Sequence, residues 1–129
     1  MDIPGDLRIA ATHEWARIND DGTVTVGITE YAQGELGDIV YVETPEIDMA
    51  CKAEEGVAVV ESVKAASDLY APVTGTIIDA NGELSESPEL INDSPYEDGW
   101  IFIIKPDDID ELQQLMDPDD YQAMIENNS

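Results

Sequence analysis

A chain of 129 residues that is 43% apolar can bury the core of a single domain and is too apolar for a disordered segment. Thirty acids against five bases leave a formal charge of -25, which disfavours nucleic acid and anionic membrane as partners. With one cysteine and one histidine, an intramolecular disulfide, a Cys-x-x-Cys redox pair and a multi-histidine metal centre are excluded.

No apolar run approaches the ~20 residues of a membrane span. The N-terminus, MDIPGDLRIA, has neither a basic start nor an apolar signal core, so a cytoplasmic protein is expected. Leu7 to Ala10 is a candidate short edge strand and His13 to Ile18 a second strand. Asn19-Asp20-Asp21-Gly22 is a turn signal. Thr23 to Ile28 alternates, with Val24, Val26 and Ile28 on one face, and so is expected to pair as a half-buried hairpin strand. Thr29 is placed to cap a short helix over Glu30 to Gln33, ended by Gly34.

Ile39 to Val42 is the next strand, stopped by Pro45, and Glu46 to Gly56 is expected as loop. Val57 to Val60 suits a buried strand by branching and length. Thr74 to Ile78 suits another, with Gly75 permitting a bend or a close backbone approach. Between them, Ala65, Ala66 and Ser67 are small and Asp68 favours a turn. The expected result is a hairpin-like reversal with Lys64 near its tip, its amine open to a large partner. Lysine otherwise occurs only as Lys52 and Lys105, so it is not filling the surface.

Asn81-Gly82 is a turn signal. Glu83 to Ser94 is irregular, with one helical turn near Glu89 to Ile91. Glu97-Asp98-Gly99 turns into a strand from Trp100 to Lys105. Ile109, Leu112, Leu115 and Met116 then fall at helical spacing. Asp117-Pro118 breaks that helix, and Tyr121, Met124 and Ile125 continue the apolar face of a second one. Many short strands with frequent turns point to an all-β sandwich or barrel.

The string ESVKAASDLYAPVTGTI, residues 61–77, resembles the attachment site of the glycine cleavage system H proteins, a family of lipoyl carriers. THEWARI (12–18), VTVGITEYAQGELGDIVYVETPE (24–46) and SPELINDSPYEDGWIFIIKP (87–106) resemble further blocks of that family, in order along nearly the whole chain. The resemblance implies a mainly β fold, the flattened lipoyl/biotinyl-type sandwich or barrel-sandwich hybrid. It further implies a short inserted helix, a helical segment at about 107–127 and a single lipoyl-binding domain over 1–129.

The resemblance also implies (R)-lipoate covalently attached to Lys64 and a cycle of three visits. At a pyridoxal-phosphate glycine decarboxylase (P protein) the arm accepts an aminomethyl group as carbon dioxide leaves. At an aminomethyltransferase (T protein) the carbon passes to tetrahydrofolate and ammonia is released. At dihydrolipoyl dehydrogenase (L protein) the dithiol is reoxidised. A lipoate ligase or a lipoyl/octanoyl transferase is the implied modifying enzyme, and the carrier itself is no enzyme. By the same resemblance, Thr12, Glu14 and Asp68 hold the aminomethyl end of the arm in a cleft. The family commonly has Ser where this chain has Thr12, and the hydroxyl is kept.

Other readings of the same residues remain open. Lys64 is otherwise a solvated loop lysine, Glu14 a strand-edge acid, Asp68 a turn-former and Thr12 a cap. A biotin carrier normally has Met on both sides of its lysine, whereas Val63 and Ala65 flank Lys64. Lipoyl domains of 2-oxoacid dehydrogenases commonly carry Asp before the lysine. An unmodified interaction module and an H-like protein that only relays lipoyl groups are further alternatives.

The acids are scattered evenly, which suits a high-salt cytoplasm where their repulsion is screened. Melting followed by circular dichroism is expected to show Tm falling as the Debye length grows from ~3 Å at 1 M salt to ~10 Å at 0.1 M. A Tm unchanged from molar to millimolar salt would rule out that adaptation.

Overall fold

The computed structural model describes residues 3–127. Among the described residues, nine strands form two antiparallel sheets that face each other without closing into a barrel. The larger sheet has the order β1-β2-β3-β9-β8-β5, built from Leu7–Ile9, Glu14–Ile18, Val24–Ile28, Phe102–Pro106, Gly75–Ala80 and Ala50–Cys51. The smaller has the order β4-β6-β7, from Ile39–Glu43, Gly56–Ser62 and Ala66–Tyr70. This is the mainly β, two-sheet sandwich with few helices that the sequence implied.

Alternation places the main core. Val24, Val26 and Ile28 of β3 are buried, as are Ala58 and Val60 of β6 and Ile104 of β9. Gly75 is required by close approach, since a Cβ there would lie 2.2 Å from the Lys105 carbonyl oxygen on β9. A second apolar cluster gathers Leu7, Ile9 and Trp15 with Tyr121 and Ile125 of the C-terminal helix α3 (Pro118–Asn127). Pro118 opens that helix at a position where its missing N–H loses nothing, and the Asp117 carboxylate accepts the Asp120 amide at 2.8 Å.

Four local expectations are corrected. The segment after Lys64 is strand: Ser67 and Asp68 lie within β7, which pairs with β6, and Val59 is opposite Asp68. The lysine hairpin is therefore β6–β7, and β8 crosses to the larger sheet to pair with β5 and β9. Helix α1 (Glu30–Leu36) is capped by the Thr29 side chain as expected, but it runs through Gly34 because Leu36 packs against the core. The expected loop at 46–56 contains β5. The expected helix after Asp107 is a 3₁₀ turn over Ile109–Gln114. It stops there because Met116 exchanges two backbone hydrogen bonds with Ile9, at 2.8 and 2.9 Å, which a continued helix would forfeit.

Helix α3 is tied to the sheet by one buried hydroxyl. Tyr121 Oη lies 2.7 Å from His13 Nδ1 and 2.7 Å from Thr29 Oγ1. Thr29 Oγ1 also accepts the Ala32 amide, and an arrangement in which Thr29 donates to Tyr121 and Tyr121 donates to Nδ1 of a neutral His13 satisfies all three groups together. Burial pushes the His13 pKa down, keeping the ring neutral and able to accept, and pushes that of Tyr121 up to about 12. Tyr121→Phe keeps the ring but strands two polar groups. It is expected to lower the unfolding free energy by about 1–3 kcal/mol in urea titrations. A loss below ~0.5 kcal/mol would mean that water or rotation re-satisfies them.

Candidate functional site

The turn at the end of β6 presents Lys64. Ser62 N donates to the Ala65 carbonyl at 2.8 Å, closing a two-residue turn. The Ser62 hydroxyl oxygen also accepts the amides of Lys64 and Ala65, both at 3.1 Å. Val63 N donates to the Asp38 carbonyl at 3.0 Å, which anchors the tip to the entry of β4. The backbone is thus fixed while the side chains project: Val63 is 67% exposed and Lys64 is exposed. Both ion pairs among the described residues belong to Arg17, with Asp6 and Glu97, so the Lys64 ammonium takes part in neither.

The stem of Lys64 passes Gly37, where a Cβ would stand 3.3 Å from Lys64 Cε. Gly37 has φ +80 and ψ -154, a backbone conformation that only glycine adopts without strain. This residue ends α1, its N–H bonding to the Gln33 carbonyl at 2.9 Å.

Glu14, at the start of β2, is 1% exposed. Its Oε1 accepts from the Thr12 hydroxyl and its Oε2 from the Tyr70 amide at 3.1 Å, which joins the larger sheet to the edge of the smaller one. Burial raises the Glu14 pKa to about 7, outweighing the hydrogen bonds from Thr12, from the Tyr70 amide and from its own backbone amide that favour the carboxylate. Thr12, Glu14 and Tyr70 line a cavity of about 500 Å³ with an apolar wall that includes Ile9, Pro72 and Met116. A carboxyl poised near neutrality in such a cavity suits a small cationic group, whose charge would draw off its proton.

Thr12 and Glu14 thus meet through a hydrogen bond at the cavity wall. Asp68 is exposed on the outer side of β7 and borders a separate depression with Glu43, Glu46, Met49 and Val59. Two further residues of the site were not anticipated. Tyr70 supplies the amide that Glu14 accepts, and no local pattern marks it, because the contact spans two sheets. Glu111 lines the same cavity and is engaged with Thr74, accepting its amide at 3.0 Å.

A family model described as glycine cleavage H-protein matches residues 7–128. The glycine cleavage system H protein of Alkalilimnicola ehrlichii is 59% identical over 123 residues, covering 95% of each chain. That of Xanthomonas euvesicatoria is 53% identical over 127 residues, covering 98% of this chain and 97% of the other. A glycine cleavage system H protein crystal structure from Mycobacterium marinum superposes with a TM-score of 0.87 at 38% identity, covering 95% of this chain and 98% of that one.

The Glu14 environment sets a pH dependence of stability. Its folded pKa lies above the ordinary value of 4.5, so the folded state keeps the proton longer than the unfolded chain. This contribution is full below 4.5 and is lost as the pH rises to about 7. Glu14→Gln removes the ionisation. The unfolding free energy of the variant minus that of the wild type is expected to rise by roughly 3 kcal/mol from about pH 4 to about pH 8. A difference that stays flat with pH would mean that Glu14 titrates as a solvated acid.

Proposed function

The chain belongs to the glycine cleavage H-protein family, and from that membership we propose that it is a lipoyl carrier whose attachment point is Lys64. The observation that carries the reading is the hairpin tip, where a pinned backbone presents an exposed lysine that makes no ion pair among the described residues. Those residues fit an acyl-lysine. Amide formation removes the ammonium charge, and here it sacrifices no salt bridge. When bound, the lipoyl group supplies a reversible dithiolane that carries an aminomethyl group from glycine decarboxylase to aminomethyltransferase and is reoxidised by dihydrolipoyl dehydrogenase.

Everything else falls to the chain's own side chains. The β6–β7 turn holds the root of the arm still while the arm remains free, which raises the local concentration of cargo at each partner. Thr12 orients the Glu14 carboxyl. Glu14 offers the cargo ammonium a charge-assisted partner in a partly apolar cavity, offsetting its desolvation. Asp68 faces a different depression and takes no part in that cavity. The chain acts as a carrier and catalyses none of the three steps, and its place is the cytoplasm.

Peptide mass mapping of protein from its own cells is expected to find one lipoyl amide on Lys64 and none on Lys52 or Lys105. Lys64→Arg should fold normally and carry nothing, because a guanidinium does not take the acyl group. Unmodified Lys64 in cells growing on glycine would sink the reading.

A further inference from the structure

We infer that Asn92, which lies outside the hairpin and its cavity, is a positioning residue for Lys64. The inference rests on the reading of Lys64 as the acylated residue. Asn92 sits in the short helix α2 (Leu90–Asp93), next to the fully buried Ile91 that anchors this segment in the main core. Its carboxamide makes three hydrogen bonds. Oδ1 accepts the Ile39 amide at 2.9 Å, and Nδ2 donates to the Gln33 side-chain oxygen at 2.8 Å and to the Gly37 carbonyl at 3.0 Å. The Ile39 N–H fixes which end of the amide is oxygen, so the orientation is unambiguous.

The three bonds converge on the segment that supports the hairpin tip. Asp38 C=O and Ile39 N–H belong to one planar trans peptide, so they point in opposite directions from a rigid unit. On one side Ile39 N–H meets Asn92 Oδ1, and on the other Asp38 C=O receives Val63 N–H at 3.0 Å. Asn92 is thereby linked to the residue beside Lys64 through a single peptide plane. The preceding peptide is held through the Gly37 carbonyl, and Gly37 is the residue against which the Lys64 stem lies. One side chain therefore fixes both the backbone beside Lys64 and the surface under its methylenes.

Acylation makes this consequential. In the modification step the Lys64 amine attacks the carbonyl carbon of a lipoyl-adenylate. An amide bond forms, the mixed anhydride bond breaks, AMP leaves and the amine loses a proton. Before that step there is no long arm, so the modifying enzyme must close on Nζ itself and needs the tip in one place. A tip that is ordered only part of the time raises the apparent dissociation constant by the inverse of that fraction and leaves the bound step unchanged.

The test uses the unmodified full-length protein with lipoic acid, ATP and a purified bacterial lipoate ligase. Asn92→Ala is expected to raise KM for the carrier about tenfold with kcat within about twofold of wild type. Gln33→Ala, a half-buried change that removes one partner of Nδ2, should raise KM by a smaller factor and keeps the test open if Asn92→Ala folds poorly. Amide hydrogen exchange supplies a readout independent of acylation. Val63 N–H should exchange about tenfold faster in Asn92→Ala while the β3 amides keep their wild-type rates. Unchanged KM with unchanged Val63 exchange overturns the inference, as does faster exchange through all strands alike, which would make Asn92 a general stabiliser. If the wild type is acylated elsewhere than Lys64, the attachment reading falls, and Val63 exchange still decides whether Asn92 holds the tip.

Discussion

One carboxyl group spans the gap between the two sheets. Glu14 leaves β2 of the larger sheet and accepts the Tyr70 amide on the edge of the smaller one, at almost complete burial. An edge strand leaves a row of N–H groups that need partners or cover. Using one of them to anchor an acid places that acid where its charge is most expensive, and the proton affinity rises accordingly. The Thr12 hydroxyl limits the expense without removing it. A lone anion is unfavourable at this position, and the proton that Glu14 retains is the consequence of placing a carboxyl where two sheets meet.

At the hairpin the opposite arrangement holds. Each backbone N–H from Ser62 to Ala65 has an acceptor, within the turn or at the Asp38 carbonyl, while the amine is left to solvent. Among the described residues no buried side-chain polar atom lacks a partner, so the order of the tip is not obtained by stranding groups elsewhere. Rigidity stops at the lysine root. An attached arm gains reach from its own free bonds and direction from the fixed base.

What the sequence made legible follows from how local each cause is. Val24, Val26 and Ile28 alternate because one face of β3 meets the core, and Thr29 caps α1 through contacts three residues away. Lys64 stood out by its setting among small residues. Ser67 and Asp68 did not announce a strand, since neither favours one, and β7 exists because β6 is beside it. Gly34 had the right residue type for a helix end, but at the end of α1 the positive φ falls at Gly37. The Tyr70 bond of Glu14 and the three bonds of Asn92 are made to partners 53 to 59 residues away. No reading of neighbours could reveal them.

The second apolar cluster has a spectroscopic consequence. The chain has two tryptophans; Trp15 lies within that cluster and Trp100 packs against it. Trp15 is fully buried, donates its indole N–H to the Pro95 carbonyl and has the Arg17 guanidinium 5.2 Å from its ring centroid. Intrinsic fluorescence is therefore a reporter of the face of the larger sheet on which the C-terminal helix docks, remote from the lysine hairpin. Emission recorded during denaturation responds to release of α3 from that face as well as to loss of the sheet, whereas the far-ultraviolet signal of the strands follows the sandwich alone. The distance between the two curves measures how tightly the halves of the domain are coupled.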